Sequence, residues 1–470
     1  MRVLVVGGGA REHALASALA RAGSEIYAVA PHVNPGLVGI ARRFETGSSE
    51  APGPITEFAK RRRIELAVIG PEAPLSAGVS DALRAAEIPV FGPSRAAARI
   101  ETSKRFCREL LARHGIDASP RLVAVRREEE LEAAVRGFAG PFVIKPVGLT
   151  AGKGVRVQGV DFTSPEEGLQ LARRLLSLPG AEEGLLLEER LEGEEFSLMA
   201  FVSDSGLYPM PAVQDYKRAL EGGGGGNTGG MGSYSQRDHL LPFLSSAHYD
   251  RAVEILRATA QALRAEDLPY RGVLYGGFML TAAGPKLIEY NARFGDPEGL
   301  NVLTLYEPGD LEGLLFGVAT GSVEPQLIRF RPRATVVKYA VPVGYGAAPE
   351  VGAVVGYDAV GIEDAGVHLY FGSVEPAGPG QVRFTSSRGL ALVGEASAVW
   401  EAGERVEAAL KCLSGRFYVR HDIGTRVDLE RRVEHMRTIF APGSKPSPLP
   451  LSVLPPGASP SSAAGPGQVL

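Results

Sequence analysis

Val3-Leu-Val-Val6 is an unbroken apolar run that stops at Gly7-Gly-Gly9, after which alanine and leucine recur at helical spacing over residues 12–22. A short strand apolar on both faces, a tight turn and a helix commit this part of the chain to a sheet covered by helices. Ile26–Ala30 and Leu66–Ile69 repeat the buried-strand pattern, and Val90-Phe-Gly-Pro-Ser94 closes the unit. Strands alternating with helices of this length predict a doubly wound parallel sheet over residues 1–101. A helix over 95–115 leads into the next unit.

The pattern then changes. Phe142–Lys145, Leu185–Glu188, Ser197–Val202 and Lys286–Tyr290 read as strands, separated by glycine-rich turns and by two helices near 165–177 and 247–265. This predicts an α+β domain with antiparallel sheet over residues 102–328. Residues 329–440 read as a smaller α+β domain of short strands ending in a helix at 426–438. The expected fold class is therefore α/β plus α+β. After Phe440 the chain is mostly proline, serine, glycine and alanine with scarcely a charge, so 441–470 is expected to be a disordered tail.

Composition narrows the function classes. A chain of 470 residues with 44% hydrophobic and 22% charged residues is ordinary globular material, long enough for several cores. A net charge of −4 gives no electrostatic reason for a nucleic-acid partner. The two cysteines, Cys107 and Cys412, lie far apart in sequence and fit a reducing compartment without a disulfide framework or a cysteine metal site. The chain has no apolar run long enough for a membrane span, and its first residues read as a strand rather than a signal peptide. A soluble cytoplasmic protein without a membrane partner is expected.

Several segments carry chemistry. Gly7-Gly-Gly-Ala-Arg-Glu-His13 sits at a strand-to-helix turn, where backbone amides and a helix N-terminus suit a phosphate; a bare tight turn is the alternative. The last glycine of the dinucleotide fingerprint would fall on Glu12, so that motif is not met. Gly148-Leu-Thr-Ala-Gly-Lys-Gly154 follows a strand lysine, Lys145, and suits closure over a nucleotide triphosphate; an exposed hairpin is the alternative. It is not a Walker loop, because Gly154 follows the lysine.

Glu188-Glu-Arg-Leu-Glu-Gly-Glu-Glu195 follows an apolar strand and could seat a nucleoside, with Glu195 accepting from ribose, or could be a solvated acidic face. Gly229-Gly-Met-Gly232, preceded by Gly222–Gly226 and Asn227-Thr228, is either a ligand loop or a flexible linker. Ile288-Glu-Tyr-Asn-Ala-Arg-Phe-Gly-Asp-Pro-Glu298 is the most informative segment. Glu289 and Asn291 share one strand face by period two, and two oxygen donors with phosphates completing the shell match how Mg²⁺ is usually held. Arg293 continues that face and could clamp a carboxylate or phosphate.

Taken in order, these segments resemble ATP-grasp enzymes, and specifically the phosphoribosylamine–glycine ligases of purine biosynthesis. The matching stretches include Gly8-Gly-Ala-Arg-Glu-His-Ala-Leu15, Gly70-Pro-Glu-Ala-Pro-Leu75, Phe91-Gly-Pro-Ser94, Glu101-Thr-Ser-Lys104 and Gln214-Asp-Tyr-Lys-Arg218. Asn227-Thr-Gly-Gly-Met-Gly232, Asn291-Ala-Arg-Phe-Gly-Asp-Pro-Glu298 and Arg420-His-Asp-Ile-Gly424 complete the set.

The resemblance implies a doubly wound N-terminal domain, a central ATP-grasp domain and a small C-terminal domain. It also implies a reaction: ATP converts glycine to an acyl phosphate, which the amine of 5-phosphoribosylamine attacks. Lys104, Lys145, Gly152, Lys153, Gly154, Glu188, Leu191 and Glu195 would bind ATP. Glu289 and Asn291 would hold Mg²⁺ or Mn²⁺, and Lys145 and Arg293 would be the catalytic side chains. Gly8, Gly9, Arg11, Glu12, Asp215, Lys217, Arg218, Asn227, Thr228, Arg293 and Asp296 would meet glycine and 5-phosphoribosylamine. A monomer or weak homo-oligomer is expected.

Four positions depart from the family pattern, which has aspartate at Val147, histidine at Tyr216, aspartate at Gly223 and proline at Gly226. Losing acidic groups and a loop proline leaves a different amine or carboxylate as an open alternative, beside a nucleotide-binding protein without turnover.

Overall fold

The computed structural model describes residues 1–147, 154–178, 183–307 and 309–441. The expectations for Gly152, Lys153 and most of the 441–470 tail fall outside these residues.

The first hundred residues form a five-stranded parallel sheet in the order Arg43–Thr46, Glu25–Ala30, Arg2–Val6, Leu66–Ile69, Val90–Phe91. Val3 to Val6 are wholly buried, as a central parallel strand covered on both faces requires. Chain order reverses between Arg2–Val6 and Leu66–Ile69. A crevice opens at such a switch point beyond the strand ends, and there Gly7–Gly9 and Gly70–Glu72 emerge.

The expected helix over 95–115 is two helices, Arg99–Thr102 and Lys104–Arg113. Ser103 is extended (φ −133°, ψ 100°) and its hydroxyl caps the second helix by accepting from the amide of Phe106. Local side-chain capping thus breaks an otherwise helical pattern and leaves Lys104 at a helix start.

Two antiparallel sheets follow. The first runs Leu122–Val125, Leu185–Glu189, Phe142–Pro146, Arg156–Val157. Its inner face shares a core of Val125, Leu131, Phe142, Ile144, Phe162, Ala172, Leu185 and Leu187 with helices Glu128–Arg136 and Pro165–Leu176. The second runs Gly206–Pro209, Glu194–Ser203, Gly272–Thr281, Gly284–Asn291 and carries the long helix Ser246–Ala265.

Gln214–Asp215 and Gly232–Ser235 leave this region to join Ala334–Ala340, Leu390–Ala396 and Val367–Phe371 in a five-stranded antiparallel sheet. A further sheet of short strands and the helix Val399–Leu410 complete the C-terminal part. The last helix, Arg426–Phe440, returns to pack on strand Glu194–Ser203. No helix among the described residues is long and apolar enough to cross a membrane.

Candidate active site

Lys145 and Glu188 meet because of sheet register. In the antiparallel pair, Val143 lies opposite Glu188 and Lys145 opposite Leu186, so Lys145 and Glu188 are diagonal neighbours on one face. Ile144 and Leu187 point the other way, into the core. Lys145 Nζ contacts Glu188 Oε2 at 2.5 Å, and Arg108 Nη2 contacts Oε1 at 2.9 Å. All three side chains are buried. Burial pushes the Glu188 carboxyl up, but Lys145 and Arg108 outweigh it and hold the group below its usual range. Lys104 feels the same cluster: burial lowers its pKa, opposed first by Glu289, while Lys145 lowers it further. Two lysines and an arginine against Glu188 leave this pocket with surplus positive charge.

Past Glu188, Leu191 is half-buried, and the Glu195 carboxylate takes an ion pair from Lys217 at 2.8 Å. Gly154 lies in a turn just before strand Arg156–Val157.

At the end of strand Gly284–Asn291, Gly277 stands opposite Glu289 and Tyr275 opposite Asn291. Glu289 is exposed, and its carboxylate has no hydrogen bond or ion pair among the described residues. Its charge acts on both lysines, opposing the effect of burial at Lys104 and at Lys217. Asn291 Oδ1 accepts from Arg293 Nη2 at 3.1 Å.

The Arg293 guanidinium also reaches Glu72 Oε2 (3.2 Å), Glu101 Oε1 (3.2 Å) and the Phe294 carbonyl (3.2 Å). Glu101 Oε2 accepts from the Ala292 amide at 2.7 Å. Two segments distant in sequence, Gly70–Leu75 and Glu101–Lys104, thereby converge on one side chain. Burial raises Glu72, yet Arg293 and Arg11 bring its carboxyl down to about 2. Burial, only partly offset by the same arginine, pushes Glu101 up to about 7.

Among the described residues no three His, Cys, Asp or Glu side chains group as a metal cage. A free carboxylate beside an amide oxygen still fits Mg²⁺, which takes one or two protein oxygens and completes its shell with phosphate and water.

The Gly7–His13 turn is largely self-satisfied. Glu12 accepts from the Gly9 amide (2.6 Å) and from Arg11 Nε (2.6 Å), while Arg11 Nη1 donates to the Phe294 carbonyl (2.9 Å). A Cβ at Gly70 would collide with the Glu12 carboxylate. Asn34 Nδ2 bridges the carbonyls of Gly8 (2.9 Å) and Phe371 (2.7 Å). His13 is buried against Tyr370 and Phe371, and its Nδ1 accepts from the Phe371 amide at 3.0 Å. Burial, with Arg21 nearby, lowers its pKa to about 3, so the ring is neutral.

The other expected substrate residues lie on the edge strand of the five-stranded sheet (Asp215), on the hairpin that follows it and in the loop bearing Asp296. Asp215 Oδ1 is buried without a hydrogen-bond partner. Burial and then Glu298 push its pKa well up. Thr228 donates its amide and hydroxyl to the Lys217 carbonyl (2.7 and 2.9 Å), and Arg218 pairs with Asn227 across a hairpin. Asp296 accepts from Tyr339 OH (2.5 Å) and faces Arg388 Nη2 (3.3 Å).

The four departures from the family pattern acquire physical surroundings here. Val147 is buried, with its amide on the Gly184 carbonyl. Tyr216 is buried, with the guanidinium groups of Arg420 (5.0 Å) and Arg432 (4.5 Å) against its ring. Gly223 lies at the tip of the hairpin, where Gly222, Gly223 and Gly225 have φ of 66°, 81° and 75°. These are backbone conformations that suit glycine. A Cβ at Gly226 would sit 2.8 Å from the Gly346 carbonyl. The hairpin is pinned to the C-terminal part by Asp422, which accepts from the Gly222 amide at 3.0 Å, and by Glu221, which accepts from the His421 amide at 2.9 Å.

Sequence reasoning missed Arg108, Tyr339 and Arg388, whose partners are remote in the chain. No local motif marks them.

Two antiparallel sheets, a strand lysine (Lys145), a helix-start lysine (Lys104) and a strand end bearing Glu289 and Asn291, beside a doubly wound domain, define an ATP-grasp enzyme. Residues 1–101 match the model for the phosphoribosylglycinamide synthetase N domain, and residues 102–299 that for the phosphoribosylglycinamide synthetase ATP-grasp (A) domain. The chain is 44% identical to the phosphoribosylamine–glycine ligase of Methanoregula boonei over 93% of its own length and 100% of the relative's. It is 45% identical to that of Methanothermobacter thermautotrophicus, with the same coverage. The crystal structure of phosphoribosylamine–glycine ligase from Thermotoga maritima superposes with a TM-score of 0.75 at 27% identity, covering 90% of this chain and 100% of that one. The biotin carboxylase domain of Hydrogenobacter thermophilus 2-oxoglutarate carboxylase, solved with MgADP, shares the fold alone (TM-score 0.67, 15% identity, 93% of each chain). The chain belongs to the phosphoribosylamine–glycine ligase family.

Proposed function

We propose that this chain joins glycine to 5-phosphoribosylamine at the expense of ATP, giving glycinamide ribonucleotide, ADP and phosphate. The glycine carboxylate attacks the terminal phosphorus, ADP leaves, and the acyl phosphate is then attacked by the amine with loss of phosphate. No covalent nucleophile is required of the protein, so catalysis rests on positioning and on charge placed where it develops.

Lys145 and Lys104 supply that charge to the phosphates, with Arg108 and Glu188 fixing the direction of Lys145. Glu188, Leu191 and Glu195 lie along the edge where the nucleoside would rest. Glu289 and Asn291 would hold Mg²⁺ (or Mn²⁺), which supplies charge neutralisation on the phosphates when bound. Arg293, braced by Glu72 and Glu101, orients the Asn291 oxygen and offers its field to the incoming carboxylate. Asp215, Lys217, Asn227, Thr228 and Asp296 form the substrate half, with Gly8, Gly9, Arg11 and Glu12 at the crevice of the N-terminal sheet and Arg218 on the hairpin.

The observation that carries this reading is Glu289, an exposed carboxylate with no ion-pair partner among the described residues, two positions from Asn291 on one face at the end of their strand. Glu289→Ala should abolish glycine-dependent ADP release while leaving the melting temperature unchanged. Near-normal turnover at ordinary Mg²⁺ would remove Glu289 from the mechanism.

A further inference from the structure

Arg388, on the connection into strand Leu390–Ala396, reaches out of the C-terminal part and fills the gap between two segments of the substrate half. Its Nη1 donates to the carbonyls of Gly229 (2.7 Å), Gly230 (3.2 Å) and Asp296 (2.6 Å), and Nη2 pairs with Asp296 Oδ2 (3.3 Å). The guanidinium lies over the Tyr339 ring at 4.6 Å, and Tyr339 itself donates to Asp296 Oδ1.

The opposite ends of the same peptide units are also held. The Gly230 amide donates to Thr228 Oγ1 (3.1 Å) and the Met231 amide to the Tyr216 carbonyl (2.8 Å). Two peptide planes in a glycine-rich loop are therefore clamped on both sides. Arg388 holds the carbonyl side of each.

Gly230 occupies a tight place, with φ +109° and a built Cβ that would sit 2.6 Å from both Asp215 Oδ1 and Pro297 Cδ. The loop that Arg388 fixes is thus the wall against the unpartnered Asp215 oxygen.

We propose that Arg388 is a positioning residue for the non-nucleotide substrates: it locks the Gly229–Gly230 loop and Asp296 in one geometry around Asp215. It does so without touching the ATP half built on Lys104, Lys145 and Glu188. A lysine can replace it only in part, because a single ammonium could take the place of Nη1 at the carbonyls but supplies neither the second arm to the Asp296 carboxylate nor the planar group over Tyr339. The inference rests on the ligase reading above.

The test is steady-state kinetics of the full chain, varying ATP, glycine and 5-phosphoribosylamine in turn, for wild type, Arg388→Met, Arg388→Lys and Tyr339→Phe. A loop displaced by about 1 Å costs on the order of 100-fold. Arg388→Met should therefore lose about that much kcat/KM for glycine or the amine, with KM for ATP within about twofold of wild type. Arg388→Lys should recover only part of the loss. Tyr339→Phe, which removes one donor to Asp296, should shift the same substrate constant in the same direction by a smaller factor. If Arg388→Met does not fold, the other two variants carry the test. A KM for ATP that rises in step with the others, or unchanged glycine and amine constants in Arg388→Lys and Tyr339→Phe, overturns the proposal. Wild-type chain without glycine-dependent turnover would instead overturn the ligase reading itself.

Discussion

The Tyr216 hydroxyl donates a 2.6 Å hydrogen bond to Asp428 Oδ2, joining the segment that bears Asp215 and Lys217 to the last helix of the chain. Asp428 also takes Arg431 (2.5 Å) and Arg432 (2.8 Å), and Arg432 and His435 both reach Glu194 at 2.7 Å. Glu194 adjoins Glu195, and Tyr216 adjoins Lys217, so this buried network underlies the Lys217–Glu195 pair. Tyr216→Phe leaves Asp428 its two guanidinium partners and should cost only about 1 kcal/mol. Asp428→Ala strips Arg432 of one of two carboxylates in a buried place and should cost about 3 kcal/mol. Urea denaturation of both variants checks the order; equal losses would show that Asp428 does not hold the network together.

Lys145 and Glu188 separate ligand handling from stability. Lys145→Ala leaves Glu188 paired with Arg108, so the fold should survive while the KM for ATP rises and kcat falls. Glu188→Ala removes the only carboxylate ion-paired with two buried cations among the described residues, and should destabilise by about 3–5 kcal/mol. Melting curves beside ATP titrations distinguish the two. A loss of stability in Lys145→Ala as large as that in Glu188→Ala would contradict the assignment.

His13 makes the fold sensitive to acid. Its folded pKa of about 3 lies below the ordinary 6.5, so between those values the unfolded chain binds a proton that the native chain does not. Stability is fully present above pH 6.5 and declines as pH falls toward 3, by about 2 kcal/mol at pH 5 relative to pH 8. Denaturation of His13→Gln across this range should lack that part of the slope. An unchanged slope would mean that His13 takes up its proton equally in the folded and unfolded chain.

The positions departing from the family pattern should not improve when reverted. Val147→Asp places a carboxylate in a buried apolar position. Gly223→Asp meets a φ of 81°, and Gly226→Pro crowds the Gly346 carbonyl. Each is expected to lower stability without raising kcat/KM for glycine. A gain of about tenfold in the triple variant would show that these positions had altered specificity.

Period-two spacing was enough to put Glu289 and Asn291 on one strand face, and the apolar run Val3–Val6 was enough to define a buried parallel strand. Such patterns are local, and the chain carries them in consecutive residues. The helix break at Ser103 was less legible, because a serine among helix-formers signals a cap only once its hydroxyl meets the Phe106 amide. Strand Gly232–Ser235 pairs with Ala334–Ala340, which no glycine-rich loop composition reveals. Arg388 lies in sequence far from Gly229 and Asp296, so its role depends on tertiary approach alone. The same is true of Tyr216: its identity stood out as a departure, but its reason lies in Asp428.

The proposed ligase site unites the two lysines, the Glu289–Asn291 strand end and the Asp215 wall. The measurement that tests it most directly is ADP release by the purified chain with Mg²⁺ and ATP, with and without glycine and freshly generated 5-phosphoribosylamine, coupled to mass analysis of the product. The account predicts ADP formation that requires both substrates and a product of the mass of glycinamide ribonucleotide. ATP turnover indifferent to either substrate, or no turnover at saturating levels of both, would contradict it.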